Sequence, residues 1–443
     1  MQNEMPPAGA EGTVATTGSE LTAVRAGMSP TYVLVIMTLV YVVNYLDRQI
    51  LGILNPQIKA EFHLTNGQIG LLGGPVFAII YATLGIPIAV LAERANRRNI
   101  IAASLAMFSI MTVLCGYASH YWQLLLARFG TGIGEAGTGP SINSVIADLY
   151  PPQKRATALA FYSAGLNIGL LFGFFGGGWI AENYGWRNAF LAAGVPGIVL
   201  VVALLLTVKE PRRGLVERLP DTAGTPTLLA TFAFLWGQRS FRWFSFGTAM
   251  SSFGGYAGIT FIPLFLVTSH HLSLPFVGLV LSVLTGVCGA IGTFLAGYFS
   301  DRLGKRDVRW NMYVPIFATF IGVPLTPIFY LASSTTVSLL AGVGPALVGA
   351  AFVGPAYAMS QALVPLRMRT RAAAILLFVL NIIGYAPAAW IVGNISDLLQ
   401  PAFGADALRY ALMTSMVTGS IGAVCYWRAA RTLKQDIERA KVA

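Results

Sequence analysis

Taken as a string of apolar and polar positions, the chain alternates long apolar runs with short polar connections. A helix needs about 20 mostly apolar residues to cross a bilayer. Twelve runs reach that length, near 31–54, 66–92, 99–119, 122–148, 155–179, 187–208, 242–268, 275–300, 311–332, 335–362, 370–393 and 406–428. A polar stretch, 209–241, divides them six and six. The pattern predicts an all-α membrane protein with 12 transmembrane helices in two six-helix pseudo-symmetric bundles, 30–208 and 242–428, joined by a cytoplasmic linker. Residues 1–29 are rich in Gly, Ala, Thr and Ser and lack a basic start followed by an apolar core. They predict a disordered tail and not a secretory signal. Residues 429–443 read as a basic tail held at an anionic leaflet.

The two halves repeat. RATALAFYSAGLN (Arg155–Asn167) matches RTRAAAILLFVLN (Arg369–Asn381), Gly139-Pro140 matches Gly354-Pro355, and LAERANRR (Leu91–Arg98) matches FSDRLGKR (Phe299–Arg306), at offsets of 208 to 215. Parallel six-helix repeats place a substrate site between the halves near the midplane.

Composition agrees. The 443 residues are 55% hydrophobic and 11% charged, against about 25% charged in a soluble protein. The net charge of +11 is explained by loop residues and not by nucleic acid, because no basic, aromatic-bearing soluble domain exists. Basic residues gather in the even-numbered connections, such as Arg94, Arg97 and Arg98, or Arg302, Lys305 and Arg306. By the positive-inside rule both termini face the cytoplasm of a multi-pass inner-membrane protein. Cys115, Cys288 and Cys425 show no metal or disulfide spacing, and the four histidines fall at loop edges. No metal or cofactor is expected, and the chain is expected to act as a monomer.

Charges inside apolar runs are costly and by default functional. Asp47 and Arg48 stand side by side in the first run; Arg128 and Glu135 lie seven residues apart in the fourth, on one helical face. Small residues around them, Gly130 to Ala136, allow a neighbouring helix to approach closely. Asp47 and Glu135 are candidate proton carriers, with Arg48 and Arg128 as switchable partners or as a site for an anionic headgroup. A buried pair that only fixes packing is the plain alternative. Candidate cavity residues are Asn44, Tyr45, Asn143, Tyr162 and Asn167 in the first half, and Phe253, Tyr256, Tyr357 and Asn381 in the second. Each could equally be an interhelical contact. Gly165, Gly169, Gly173 and Gly177 form a ridge read as close packing. Glu93, Arg94, Arg97, Asp148, Asp301, Arg302 and Arg306 form a candidate cytoplasmic gate, or set topology alone.

GYFSDRLGKR (Gly297–Arg306) resembles the loop signature of the major facilitator superfamily. The first copy, AVLAERANRR, departs at Ala89, Glu93 and Asn96. RFGTGIGEA resembles the superfamily's fourth-helix motif, which implies a proton-coupling role for Arg128. FGFFGGG resembles the antiporter signature, with Phe174 where that motif has Pro. NYLDRQILGILNPQIKAEF, GEAGTGPSINSVIADLYP and RATALAFYSAGLNIG together resemble the Spinster subfamily, over about residues 31–428. The resemblance implies that the first and fourth helices are neighbours. Spinster relatives in animals are linked to lysophospholipid and sphingosine-1-phosphate export.

The expected function is therefore proton-coupled secondary transport, by alternating access, of an amphipathic lipid-like solute; a sugar acid or other small organic anion is the alternative. An enzyme acting on lipids is disfavoured because no intramembrane His or paired Cys supplies a nucleophile–base or metal constellation. No Walker-type GxxxxGK[ST] motif points to ATP-driven pumping.

Overall fold

The computed structural model describes residues 29–211 and 227–442. The expected tail before residue 29 and much of the expected linker lie outside the described residues. Among those described there is no strand. Twelve helical segments span the molecule: α1 (Pro30–Phe62), α2 (Asn66–Gly73 and Pro75–Arg94), α3 (Arg97–Gly116), α4 (Tyr121–Glu135 and Thr138–Leu149), α5 (Pro152–Tyr184) and α6 (Trp186–Thr207). The second half holds α7 (Arg239–His270), α8 (Leu274–Gly304), α9 (Trp310–Leu331), α10 (Thr335–Val348 and Val353–Ala362), α11 (Arg369–Phe403) and α12 (Ala407–Leu412 and Thr414–Val442). Among the described residues, ten helical stretches are long and apolar enough to cross a membrane. The number falls below twelve because α4 is broken and charged, and because α11 and α12 join as one stretch.

Local chemistry sets the ends. Thr65 and Gln68 form a capping box at the start of α2, and the Asn96 side chain caps α3. The repeat is visible in backbone detail: α1 and α7 both end on a left-handed histidine, His63 (φ 51°) and His271 (φ 53°). Wide π-helical turns interrupt α5 (Phe172–Gly176), α8 (Ser282–Cys288) and α11 (Leu380–Tyr385).

Two expected boundaries differ in the structure. The linker carries its own apolar helix, Leu228–Gly237, capped by Thr227. Residues 429–442 continue α12 as ordered helix, because Ala429, Ala430 and Leu433 bury an apolar stripe in the second half's core.

The cores show how the halves sit. On the face away from the termini, one cluster spans both halves, with Ile50, Leu54, Leu72 and Phe174 packed among Phe261, Leu274, Ala389 and Val392. On the termini face each half has its own core, around Val33, Ile101 and Leu204 in the first and Phe241, Met312 and Leu376 in the second. The halves are thus joined at one end and separate at the other. Close backbone approach makes the joint: a Cβ on Gly70 would lie 2.2 Å from Ala389 O, and one on Gly393 2.2 Å from Asn66 O. No residue but glycine fits either position.

Candidate functional site

The four intramembrane charges come together in the first half. Arg48 Nε of α1 donates to Glu135 Oε2 of α4 at 2.5 Å, and Arg128 Nη1 of α4 donates to Asp47 Oδ2 of α1 at 3.2 Å. Two crossed ion pairs therefore tie α1 to α4. Asp47 also accepts from Thr112 Oγ1 of α3 at 2.6 Å, a partner that nothing in the sequence singled out. Asp47, Arg128 and Glu135 are buried, whereas the Arg48 side chain keeps 25% of its surface open. Its guanidinium lies 4.9 Å from the Phe77 ring centroid and 4.8 Å from that of Tyr81. Both rings sit on α2 and were likewise missed.

Local sequence explains this geometry. Gly130 and Gly134 press against Met111 and Phe108 of α3, so α4 lies close enough for its charges to reach inward. The helix breaks at Ala136–Gly137, immediately after Glu135. Glu135 Oε1 and Arg128 Nε are buried with no hydrogen-bond partner. A buried charged atom without its full complement of hydrogen bonds costs free energy.

The other candidate residues scatter. Tyr45 is half-buried beside Tyr41, whose ring stacks on Tyr162 at 4.3 Å; the Tyr162 hydroxyl is buried and unpartnered. Asn44 is buried on α1, while Asn143 and Asn167 are exposed. Phe253 is buried in the core shared by the two halves. Tyr256 donates from its hydroxyl to Gly73 O at 2.9 Å and stacks on Tyr385, so it fastens α7 to α2. Tyr357 is half-buried against the second half's core. Asn381 donates to Leu377 O one turn back, which leaves its amide engaged within α11. The glycine ridge of α5 packs on α1, against Thr38, Tyr45, Gln49 and Ile50.

The gate residues divide by half. Arg97 is buried and donates to Asp148 at 2.5 Å and to Glu210 at 2.8 Å. It also reaches Ser144 Oγ and Pro211 O. Glu210 escaped notice because it lies in the polar linker. The side chains of Glu93 and Arg94 lie outside the described residues. Asp301, Arg302 and Arg306 are exposed, and Arg302 reaches only its own helix, at Tyr298 Oη.

A polar fastening holds the other face. The first backbone N–H groups of α2, on Asn66 and Gly67, donate to the two carboxylate oxygens of Asp397 on α11 at 2.9 and 2.7 Å. This is an anion at a helix N-terminus. Asn66 Nδ2 also reaches Ser396, Lys59 donates to Asn66 Oδ1, and Asn55 Nδ2 reaches Thr260 O on α7. With the Tyr256–Gly73 bond nearer mid-depth, those to Asp397, Ser396 and Thr260 are the hydrogen bonds that join described residues of the two halves.

Residues 37–393 match the Major Facilitator Superfamily model. The chain is 32% identical over 407 residues to an MFS-type efflux pump of Mycolicibacterium smegmatis, covering 91% of this chain and 93% of that one. It is 26% identical over 447 residues to human protein spinster homolog 1, covering 94% and 84%. A crystal structure of a bacterial homolog of the human lysosomal transporter Spinster, inward-facing and unoccupied, superposes with a TM-score of 0.83 at 30% identity over 92% of this chain and 98% of that one. A D-xylose–proton symporter shares the fold, with a TM-score of 0.67 at 18% identity over 91% and 97%. A helical frame joined at one end, with two α1–α4 ion pairs inside it, thus meets a family match across most of its length: the chain belongs to the major facilitator superfamily, within the Spinster group.

Proposed function

We propose that this chain is a proton-coupled transporter that moves an amphipathic, lipid-like solute, of the lysophospholipid or sphingosine-1-phosphate type, by alternating access. The observation that carries the reading is the part-open Arg48 bound to the fully buried Glu135. When Glu135 takes up a proton, its charge is lost and Arg48 is released to hold an anionic head with its planar donor fork. Loss of the proton restores the Arg48–Glu135 pair and displaces the head. Asp47 and Arg128 form a second, drier pair that holds α1 and α4 in register during this exchange.

The distribution of charge supports the solute class. Buried charge in the first half comprises Asp47, Arg97, Arg128 and Glu135; among the described residues of the second half only Asp436 is buried and charged, at the end of α12. One wall thus offers ions and the other apolar and aromatic surface, which suits a polar head joined to a chain. Loop charge supports termini on the cytoplasmic side of a plasma or inner membrane, and with that orientation the separated ends of the halves face the cytoplasm. In that orientation Arg97, Asp148, Asp301, Arg302 and Arg306 are the groups that would meet when the inner face closes. The protein acts as a monomer.

The test is solute movement in proteoliposomes under an imposed pH gradient, wild type beside Glu135→Gln. The panel contains a lysophospholipid, sphingosine-1-phosphate and a sugar acid. Lipid movement that loses its pH dependence in the variant is the expected result. Movement of the sugar acid alone sinks the lipid assignment, and undiminished pH dependence in the variant removes Glu135 from the coupling.

A further inference from the structure

Outside the cluster of α1 and α4, three exposed arginines gather on the described surface where α7 meets α12. Arg239 and Arg242 stand on the first turn of α7, next to Trp243, and the groove they line is closed on one side by Trp236 of the linker helix. Arg428 of α12 completes it, with its guanidinium 4.6 Å from the Trp243 ring centroid. All three arginines are exposed, and none has an acidic partner among the described residues. Asp436, the nearest buried acid on α12, accepts the Ser240 N–H at 2.9 Å and pairs with Arg439, so its charge is already engaged.

The groove does not end at the arginines. It continues along the same two helices over Phe246, Val417, Ile421 and Val424, which are 39–55% exposed. From Val417 to Arg428 the helix rises about 16 Å at 1.5 Å per residue, the scale of an acyl chain beneath its headgroup. Trp236 and Trp243 sit at the change from basic to apolar, the level at which indole rings favour a membrane interface. Arginine forks suit phosphate oxygens, and a free phosphate would make no use of the apolar extension.

We propose that the α7–α12 groove binds one anionic phospholipid of the surrounding bilayer. Arg239, Arg242 and Arg428 hold its phosphate, and one acyl chain lies along Phe246, Val417, Ile421 and Val424. The site lies on the lipid-facing side of the second half, apart from the charged cluster of the first, and does not depend on the transported solute.

Native mass spectrometry of the full chain in detergent tests this, with palmitoyl-oleoyl phosphatidylglycerol, the matching phosphatidylcholine, and inorganic phosphate as probes. The wild type should retain one phosphatidylglycerol in preference to phosphatidylcholine. The variant Arg239→Gln/Arg242→Gln/Arg428→Gln should lower that retention roughly tenfold or more. Ile421→Trp, which fills the apolar part with no change of charge, should lower it too. Removing three exposed charges elsewhere on the same face, Lys305→Gln/Arg367→Gln/Arg369→Gln, should leave it within about twofold. Equal losses from the two triple variants would reduce the effect to general surface charge and overturn the site. So would unchanged retention in the groove variant, or displacement of the lipid by inorganic phosphate.

Discussion

Arg128 and Asp47 face each other at 3.2 Å in a setting where each side chain is at least 97% buried. A charge left there without its partner has no water to turn to. Arg128→Met should therefore destabilise the protein by about 3–5 kcal/mol. The double variant Asp47→Asn/Arg128→Met should regain much of that, because the orphaned carboxylate is gone. Thermal unfolding in detergent measures both, and an equal loss in the two would show that the pair's charge is immaterial to stability.

Closure of the far face rests on two glycines. A Cβ at Gly70 or Gly393 would fall 2.2 Å from a backbone oxygen of the opposite half. Gly70→Val and Gly393→Val should hold the halves apart there and cut transport about tenfold or more. Spin labels at Ser119 and Leu398, exposed on that face in opposite halves, should report a longer distance. An unchanged distance distribution would reject the idea.

Asp397 is bound by the N-terminus of α2 rather than by a single side chain. Asp397→Asn keeps the shape but loses the charge that the helix end favours, a change of about 1 kcal/mol. That is enough to move a two-state equilibrium severalfold. The same label pair should show a larger population with the far face open, and Asp397→Glu should lie between the two.

Arg97 joins α3 to α4 and to the linker through Asp148 and Glu210. Arg97→Gln removes the guanidinium shared by two carboxylates that retain some solvent, while Glu210 keeps the Arg98 N–H, so a cost of about 1–2 kcal/mol is expected. Arg306→Gln, at an exposed position, should change stability by less than about 0.5 kcal/mol. Matching shifts in Tm would dissolve the distinction drawn between the two gate clusters.

Lys434 donates to Asp307 at 2.8 Å and, with the Arg309 backbone N–H, holds that carboxyl below its ordinary range. A carboxyl lowered in the folded state adds stability above its unfolded value, and the gain disappears as pH falls through the folded one. The pair is largely exposed, so the effect is under about 1 kcal/mol. The difference in Tm between wild type and Asp307→Asn should be present at neutral pH and vanish in strong acid. A difference that ignores pH would assign it to packing.

Much of this was legible in the chain. Apolar length alone marks a membrane span, since the bilayer satisfies no backbone groups and leaves the helix as the available form. Asp47, Arg48, Arg128 and Glu135 stood out because an ion inside an apolar run has few tolerable explanations. Thr112, Phe77, Tyr81, Glu210 and Asp397 did not stand out, for each has an ordinary residue type in an ordinary place. Their importance comes from what faces them, as with Asp397 and the amides of Asn66 and Gly67 across 330 residues. For residues such as Phe253 and Asn381, depth can be read from position along a run, but the direction of a side chain depends on the neighbours around the helix.

The sequence by itself therefore determined the class of the molecule, its twelve spans, its internal repeat and the four charges that had to be accommodated. These follow from hydrophobic length and from the cost of a buried ion, both properties of a segment considered alone. Tertiary structure decided that Arg48 pairs with Glu135 and Arg128 with Asp47, that the halves join on one face through Gly70 and Gly393, and that α12 stays helical through the expected tail. Those outcomes depend on distances between segments, which no local pattern specifies.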